Sequence, residues 1–248
     1  AMVAGPELTG THAKTYLGAT YDHVAGLIPL DIVGRRSALG FYFFRAATGD
    51  ILLTQEPADT TVEVHGSQTG ALDASCFSIA FARSLNGTLL AGAAAKLFKA
   101  RLLDAEATGC GFDIAVSVHI RDEKTILRGL SSAFLARNLA TRLSWSTGRT
   151  EVGIPSLTLG LAYRPWITNR IVFSTDIEKS VEASLPETEW RLGVEFLLGQ
   201  AVPLRFGYDE HSISTGAGFR SSHVKLDYAF SFHRELAGSH RISLTLAR

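Results

Sequence analysis

The segment VKLDYAFSFH, residues Val224–His233, decides the fold, because apolar and polar side chains alternate along it without a break. A period of two places successive side chains on opposite faces of a β-strand. The same alternation recurs at Gly111–Ile120 and Thr188–Leu198. The sequence therefore predicts strands that are apolar on one face and polar on the other.

Strands of this kind follow one another closely from Ser156 to Arg248, with short turns between them. With the less regular segments upstream, the 248 residues hold about 14 strands and no convincing helix. Evenly spaced short strands indicate a β-sandwich or a β-barrel. Because all-β barrels of this length form one domain, we expect a single domain over residues 1–248.

The N-terminal half is less regular. Its apolar segments predict strands at His12–Tyr21, Val24–Leu30 and Ser37–Ala47. Asn86-Gly87 predicts a hairpin with a type I′ turn, in which both central residues have positive φ. The Ala, Leu and Lys content of Thr88–Ala107 suits a helix. Its place between that hairpin and the strand that follows favours a strand instead.

Composition excludes several classes of protein. Formal net charge is zero, and no basic stripe is present, so we expect no nucleic-acid partner. No apolar run approaches the about 20 residues of a membrane-spanning helix. Cys76 and Cys110 fall on opposite faces of strands that are two apart, roughly 9.6 Å by strand spacing, against the about 7 Å that a disulfide tolerates. We predict that both thiols are free.

The apolar faces are expected to point outward. A barrel of about 14 strands has a lumen, and a lumen lined with Leu and Phe would be a large dry void, which interior packing does not allow. A soluble β-sandwich could bury these faces and stays an alternative at this point. In a barrel, the polar faces would form a lumenal ladder of mixed charge. Its predicted members are Arg164, Asp176, Glu178, Arg191, Glu195, Arg205, Arg220, Lys225, Asp227 and Arg241.

Loop lengths favour the barrel. The predicted connections Thr48–Gly70, Leu139–Pro155, Ser180–Glu187 and Arg234–Ser239 are long, and all fall at one end of the strands. The connections at the other end are short. Outer-membrane barrels have short periplasmic turns and longer external loops, whereas a sandwich has no reason to sort its loops in this way. We therefore predict an antiparallel up-and-down transmembrane β-barrel in the bacterial outer membrane.

The C-terminal segments also resemble a known family. LTLGLAYRP at Leu157–Pro165, LRFGYDE at Leu204–Glu210 and the stretch Ser214–Leu246 are similar to PorV/PorQ-like outer-membrane proteins of the FadL fatty-acid transporter superfamily. TYDHVAGLIPL at Thr20–Leu30 and GAAAKLFKARL at Gly92–Leu102 fit the same pattern. The resemblance implies a 14-stranded barrel plugged by an N-terminal hatch. The hatch segment is expected to be absent here.

No catalytic, cofactor or metal-binding motif stands out in the sequence. We expect a protein that is not an enzyme and that binds no cofactor or metal. Gly216-Ala217-Gly218 lies within a strand, where glycine lets neighbouring side chains pack closely or marks a bulge. Asp227 and Arg241, on adjacent strands and the same face, are expected to form a lumenal ion pair. We hypothesise that Asp227→Ala lowers barrel stability without changing selectivity, so an unchanged midpoint of heat-induced gel mobility would contradict it.

Three functions remain open at this stage. The resemblance implies passage of small hydrophobic molecules, such as long-chain fatty acids, across the outer membrane, with membrane lipid as the surrounding partner. The second is a PorV-like component of type IX secretion, which would bind secreted protein cargo through external loops. The third is a soluble β-sandwich binding protein. An apolar pocket or a lateral opening in the wall would favour the first of these.

Overall fold

The computed structural model describes residues 5–15, 18–53, 68–120, 127–181, 188–235 and 237–248. All regular structure in these ranges is β-strand. These residues form no helix that is long and apolar enough to cross a membrane. The strands are β1 Glu7–Lys14, β2 Thr20–Ile32, β3 Arg35–Leu53, β4 Gln68–Ser84, β5 Leu89–Leu102, β6 Ala105–His119, β7 Leu130–Trp145, β8 Thr150–Val152, β9 Ser156–Tyr163, β10 Ile171–Ser180, β11 Thr188–Leu198, β12 Val202–Asp209, β13 Ser212–Arg220, β14 Val224–His233 and β15 Ser239–Ala247.

The strands close into one antiparallel barrel. Neighbours in sequence pair with each other, and β1 pairs with β15 to complete the ring. The short β8 pairs with β7 on the side that β9 also uses, so β8 and β9 together form one of the 14 strands of the wall. The predicted fold class is therefore confirmed. A closed ring has no second sheet, and this rules out the β-sandwich alternative.

Apolar side chains cover the outside of the barrel. On β14 the residues Val224, Leu226, Tyr228 and Phe232 are all exposed, while Lys225 and Asp227 face the lumen. The accessible surface is 16605 Å² for a 26.7 kDa chain, against about 11000 Å² for a soluble monomer of that mass. The excess arises because the sheet has two accessible faces. Such an apolar exterior requires lipid around it.

Several predicted boundaries in the N-terminal half were wrong. The strand predicted at His12–Tyr21 is two strands, because β1 ends at Lys14 and β2 begins at Thr20. Thr88–Ala107 is strand, as favoured, but it contains a tight turn at Leu103, where φ is +54°, between β5 and β6. Composition does not reveal this turn, since Leu is not a residue expected at positive φ.

The hairpin at Asn86-Gly87 is present, but its type I′ turn is not, since neither residue has positive φ. The Asn86 side chain organises the turn instead. Its Oδ1 accepts hydrogen bonds from the backbone N–H of Thr88 at 2.9 Å and of Leu89 at 2.6 Å. An Asn side chain that bonds the backbone two residues onward is an alternative way to make a tight turn.

The predicted sorting of loop lengths is weaker than expected. Leu139–Pro155, predicted as a long loop, is mostly strand, because β7 runs to Trp145 and turns back at residues 146–149 into β8. Within Thr48–Gly70, β3 continues to Leu53 and β4 begins at Gln68, and residues 54–67 lie outside the described ranges. The barrel wall is taller at β3, which has 19 residues, than at β9, which has 8.

Strand β7 carries two consecutive bulges. Its register with β6 shifts between Cys110 and Phe112 and again between Phe112 and Ile114. Two non-glycine residues of β7, Asn138 and Ala140, have φ of +56° and +51°. Bulges of this kind add residues to one strand, bend it and re-aim its side chains.

We predict that Ala140→Gly stabilises the barrel by about 0.5 kcal/mol, because glycine has no Cβ penalty at positive φ and only part of the gain is lost to chain entropy. Ala136→Gly, at a regular ladder position of the same strand opposite Ile114, is expected to destabilise by about 0.5–1 kcal/mol. Urea unfolding in detergent micelles measures both changes. If both variants changed the free energy of unfolding in the same direction, the backbone at Ala140 would not be strained.

Candidate functional site: the barrel lumen

Most of the predicted lumenal charges form ion pairs along one wall of the lumen. We call the lumenal residues that these pairs join, on β1, β7 and β10–β14, the charged wall. The predicted residues that take part are Glu178, Arg191, Glu195, Arg205, Arg220, Lys225 and Asp227.

One network of the charged wall is centred on Glu178 of β10. Its carboxylate accepts hydrogen bonds from Arg191 Nη1 at 3.1 Å and from the Ser156 hydroxyl at 2.9 Å. Arg137 of β7 lies 3.6 Å from the same carboxylate. The network therefore ties four consecutive strands of the wall together on the lumenal side.

The second network is centred on Glu195 of β11. Arg205 Nε donates to it at 2.8 Å, and Arg220 Nη2 donates to it at 2.9 Å. Arg205 also donates through Nη1 to Asp227 Oδ1 at 2.6 Å. In the order of contacts Arg220–Glu195–Arg205–Asp227 the charges alternate in sign, so each charge has an opposite charge beside it.

The predicted ion pair between Asp227 and Arg241 is wrong. Asp227 lies opposite Ser243 in the ladder, and its partner is Arg205, two strands away on β12. The intervening β13 presents only Gly216 and Gly218 to this part of the lumen, so nothing separates the two side chains. A Cβ on Gly218 would lie 2.3 Å from Asp227 Oδ1. Gly216 and Gly218 therefore allow the side chains of the neighbouring strands to pack closely, as the sequence predicts.

Three predicted ladder residues have no ion pair with any other residue that the structure describes. Arg164 follows the last residue of β9 and lies in the turn, where its backbone N–H donates to Gly129. Asp176 is lumenal and lies opposite Arg191 in the ladder, yet Arg191 forms its ion pairs with Glu178 and Glu189 instead. Arg241 is exposed to the lumen on β15. Sequence alternation gives the face of a residue, but not its partner.

A second wall of the lumen is aromatic, which the sequence analysis missed. Tyr21, His23, Tyr42 and Phe44, on β2 and β3, all face inward, and we call them the aromatic wall. Tyr21 stacks on Phe44 with 5.9 Å between ring centroids, and Tyr42 stacks on Phe44 at 6.3 Å. His23 lies 5.6 Å from Tyr42. Around them the inward residues are mostly small: Ala13, Ala25, Ala46, Ala74, Ala80, Ala94 and Ala100.

The run Phe41-Tyr42-Phe43-Phe44 is the signal that could have revealed this wall. In a strand, four consecutive aromatic residues must place aromatic rings on both faces. Phe41 and Phe43 are exposed on the outside, so Tyr42 and Phe44 must line the lumen. The lumen is therefore amphipathic, with a charged wall and an aromatic wall.

The bulged part of β7 closes the lumen wall between these two surfaces. Lys96 Nζ lies 2.6 Å from Asp113 Oδ1 and donates to Asn138 Oδ1 at 2.7 Å. Asp113 Oδ1 also accepts the backbone N–H of Asn138 at 2.9 Å. The Lys96 and Asp113 side chains are only 11% and 21% exposed. This cluster supplies the ladder hydrogen bond that the bulge removes.

Other candidate features have structural explanations. Asp209, at the end of β12, accepts the backbone N–H groups of His211 and Ser212 and so caps the turn. Cys76 and Cys110 are both free, as predicted. In the described part of the chain, no group of three or more His, Cys, Asp or Glu side chains is placed to hold a metal ion.

A groove of about 720 Å³ lies on the outer surface between β9 and β13. Its walls are outward side chains such as Leu161, Phe173, Leu192 and Phe206, and its lining is almost entirely apolar. The groove therefore faces lipid and is separate from the lumen.

Comparison with solved structures identifies the fold. The toluene transporter TodX of Pseudomonas putida matches with a TM-score of 0.67 and 13% identity, over 99% of this chain and 90% of that chain. The chain has the fold of these transporters. The toluene transporter TbuX of Ralstonia pickettii gives 0.64 and 13%, over 99% and 89%. CymD, a monoaromatic hydrocarbon channel, gives 0.59 and 12%, over 99% and 88%.

At these identities the likeness establishes the fold alone. No family model matches the sequence, and no curated protein sequence matches it. The narrower resemblance to PorV/PorQ-like proteins, with the secreted cargo that it implies, stays a prediction.

Proposed function

We propose that this chain is a bacterial outer-membrane channel for small hydrophobic molecules. The observation that carries the proposal is the aromatic wall, because stacked rings beside small alanine side chains give the lumen an apolar surface that a hydrocarbon can contact. The proposal is also supported by the fold, which is shared with channels whose names specify toluene or monoaromatic hydrocarbons.

The aromatic wall suits transient binding. Tyr21, Tyr42 and Phe44 present ring faces and edges to the lumen, and Tyr42 is 36% exposed. An aromatic contact contributes about 0.5–1.5 kcal/mol to the free energy of binding, beyond the contribution of the apolar area that it buries. Contacts of this strength attract a hydrocarbon and still release it, as conduction requires. Monoaromatic hydrocarbons are therefore the first solutes to test. Long-chain fatty acids, implied by the sequence resemblance, are the second.

The direct test is accumulation of radiolabelled toluene by bacterial cells whose outer membrane carries this chain. Cells expressing the chain should take up toluene faster than cells without it, and oleate uptake tests the fatty-acid class in parallel. Fractionation should place the folded protein in the outer membrane. Equal toluene and oleate uptake with and without the folded barrel would refute the channel.

A pair of adjacent substitutions tests the route through the lumen. Ala46 faces the lumen beside Tyr21 and Ala74, whereas Ala47 faces outward opposite Asp73. We expect Ala46→Trp to reduce toluene uptake several-fold, because an indole would fill the space beside the aromatic wall. Ala47→Trp adds the same volume to the outside and should leave uptake unchanged. Similar uptake by both variants would place the route elsewhere.

A further inference from the structure

Arg241 differs from the arginines of the charged wall. On β11, β12 and β13, Arg191, Arg205 and Arg220 each have carboxylate partners. Arg241, inward on β15, has no ion pair or side-chain hydrogen bond with any residue in the described ranges. A lumenal guanidinium without a counter-charge is available to an anionic ligand, since five N–H donors remain unused.

A cavity of about 390 Å³ lies on one side of Arg241, with room for roughly a dozen water molecules. Its lining is small and polar where Gly207, Ser214 and Gly216 face it. The charged groups around it are Arg205, Arg241 and Asp227. Because Asp227 is already bound to Arg205 at 2.6 Å, the cavity has a net positive charge.

The aromatic wall lies on the other side of Arg241. Only β1 separates them, and the residue of β1 opposite both Arg241 and Tyr21 is Ala13, a small side chain that is 6% exposed. A cation and a surface of stacked rings thus meet at one place in the lumen.

We infer that Arg241 and the aromatic wall form a binding site for a carboxylate carried on an aromatic ring. The guanidinium would hold the carboxylate through two parallel N–H···O bonds. The ring would lie against Tyr42 and Phe44, where offset or edge-to-face contacts are available. The inference rests on the proposed channel for access to the lumen, and it adds an anionic class of solute to the uncharged hydrocarbons.

Benzoate is the probe, and calorimetric titration of the full chain in detergent micelles is the measurement. The wild-type barrel should bind benzoate more tightly than acetate, which has no ring, and more tightly than octanoate, which has an aliphatic body. Arg241→Gln should weaken benzoate binding at least about 10-fold, since bonds to a charged group are lost. Arg241→Lys keeps the charge without the bidentate geometry and should give an intermediate affinity.

The controls separate this site from general charge effects and from the channel itself. Arg234→Gln removes an exposed cation from the turn after β14 and should leave benzoate binding unchanged. Phe44→Ala should weaken benzoate but not acetate. Toluene uptake should survive Arg241→Gln, so loss of hydrocarbon passage and loss of the anion site give different results. No benzoate binding, an unchanged affinity in folded Arg241→Gln, or an equal affinity for octanoate would overturn the inference.

Discussion

Asp113→Ala is expected to lower the free energy of unfolding by about 3 kcal/mol, because it leaves a buried charge without its partner. The Lys96 ammonium lies 2.6 Å from Asp113, and its side chain is 11% exposed. The substitution also removes the acceptor of the Asn138 backbone N–H, and a buried donor left unsatisfied carries its own cost. Both losses fall at the bulge, where the regular ladder is already interrupted.

Urea titration in micelles, followed by the gel mobility of folded and unfolded barrel, measures this effect. Asp113→Asn should be intermediate, since the amide oxygen still accepts the Asn138 N–H while the charge is lost. Asp176→Ala is the matched control: another inward carboxylate, without an ion pair in the described part of the chain. We expect it to change stability by less than about 0.5 kcal/mol. Equal midpoints for Asp113→Ala and Asp176→Ala would show that the Lys96 cluster does not stabilise the wall.

Glu195→Ala is expected to lower the free energy of unfolding by about 2 kcal/mol. Its carboxylate is shared by Arg205 and Arg220, at 2.8 and 2.9 Å. Removing it leaves Arg220 without a described partner and places two cations near each other. The cost is smaller than at Asp113 because the two arginine side chains are 34% and 33% exposed, and lumenal water screens them.

The order of effects within this network tests its connectivity. Asp227→Ala should cost about 1 kcal/mol, because Arg205 keeps its bond to Glu195. Glu210→Ala, at an exposed turn position, should be neutral. The same urea titration ranks the three variants, and toluene uptake by the folded Asp227 variant checks that passage of hydrocarbon is unchanged. A larger effect at Asp227 than at Glu195 would contradict the network as described.

Strands could be predicted from the sequence where the alternation of apolar and polar residues was strict. The residues that contact each other across the lumen could not be predicted. The alternating segment Val224–His233 is strand β14, because an environment of lipid on one face and lumen on the other imposes a period of two on its residues. The turn at Leu103 and the bulges at Asn138 and Ala140 have no local signature. Tertiary pairing, rather than the preference of these residues, determines their backbone conformation.

By itself, the sequence determined which side chains share a face of each strand, about how many strands there are, and that the apolar faces must meet lipid. These follow from local geometry and from the impossibility of a large dry lumen. Only the tertiary structure decided which lumenal groups meet. Asp227 pairs with Arg205 rather than Arg241 because β13 has glycine between them. Likewise, ring closure, which pairs β1 with β15, is what brings Arg241 within one strand of the aromatic wall.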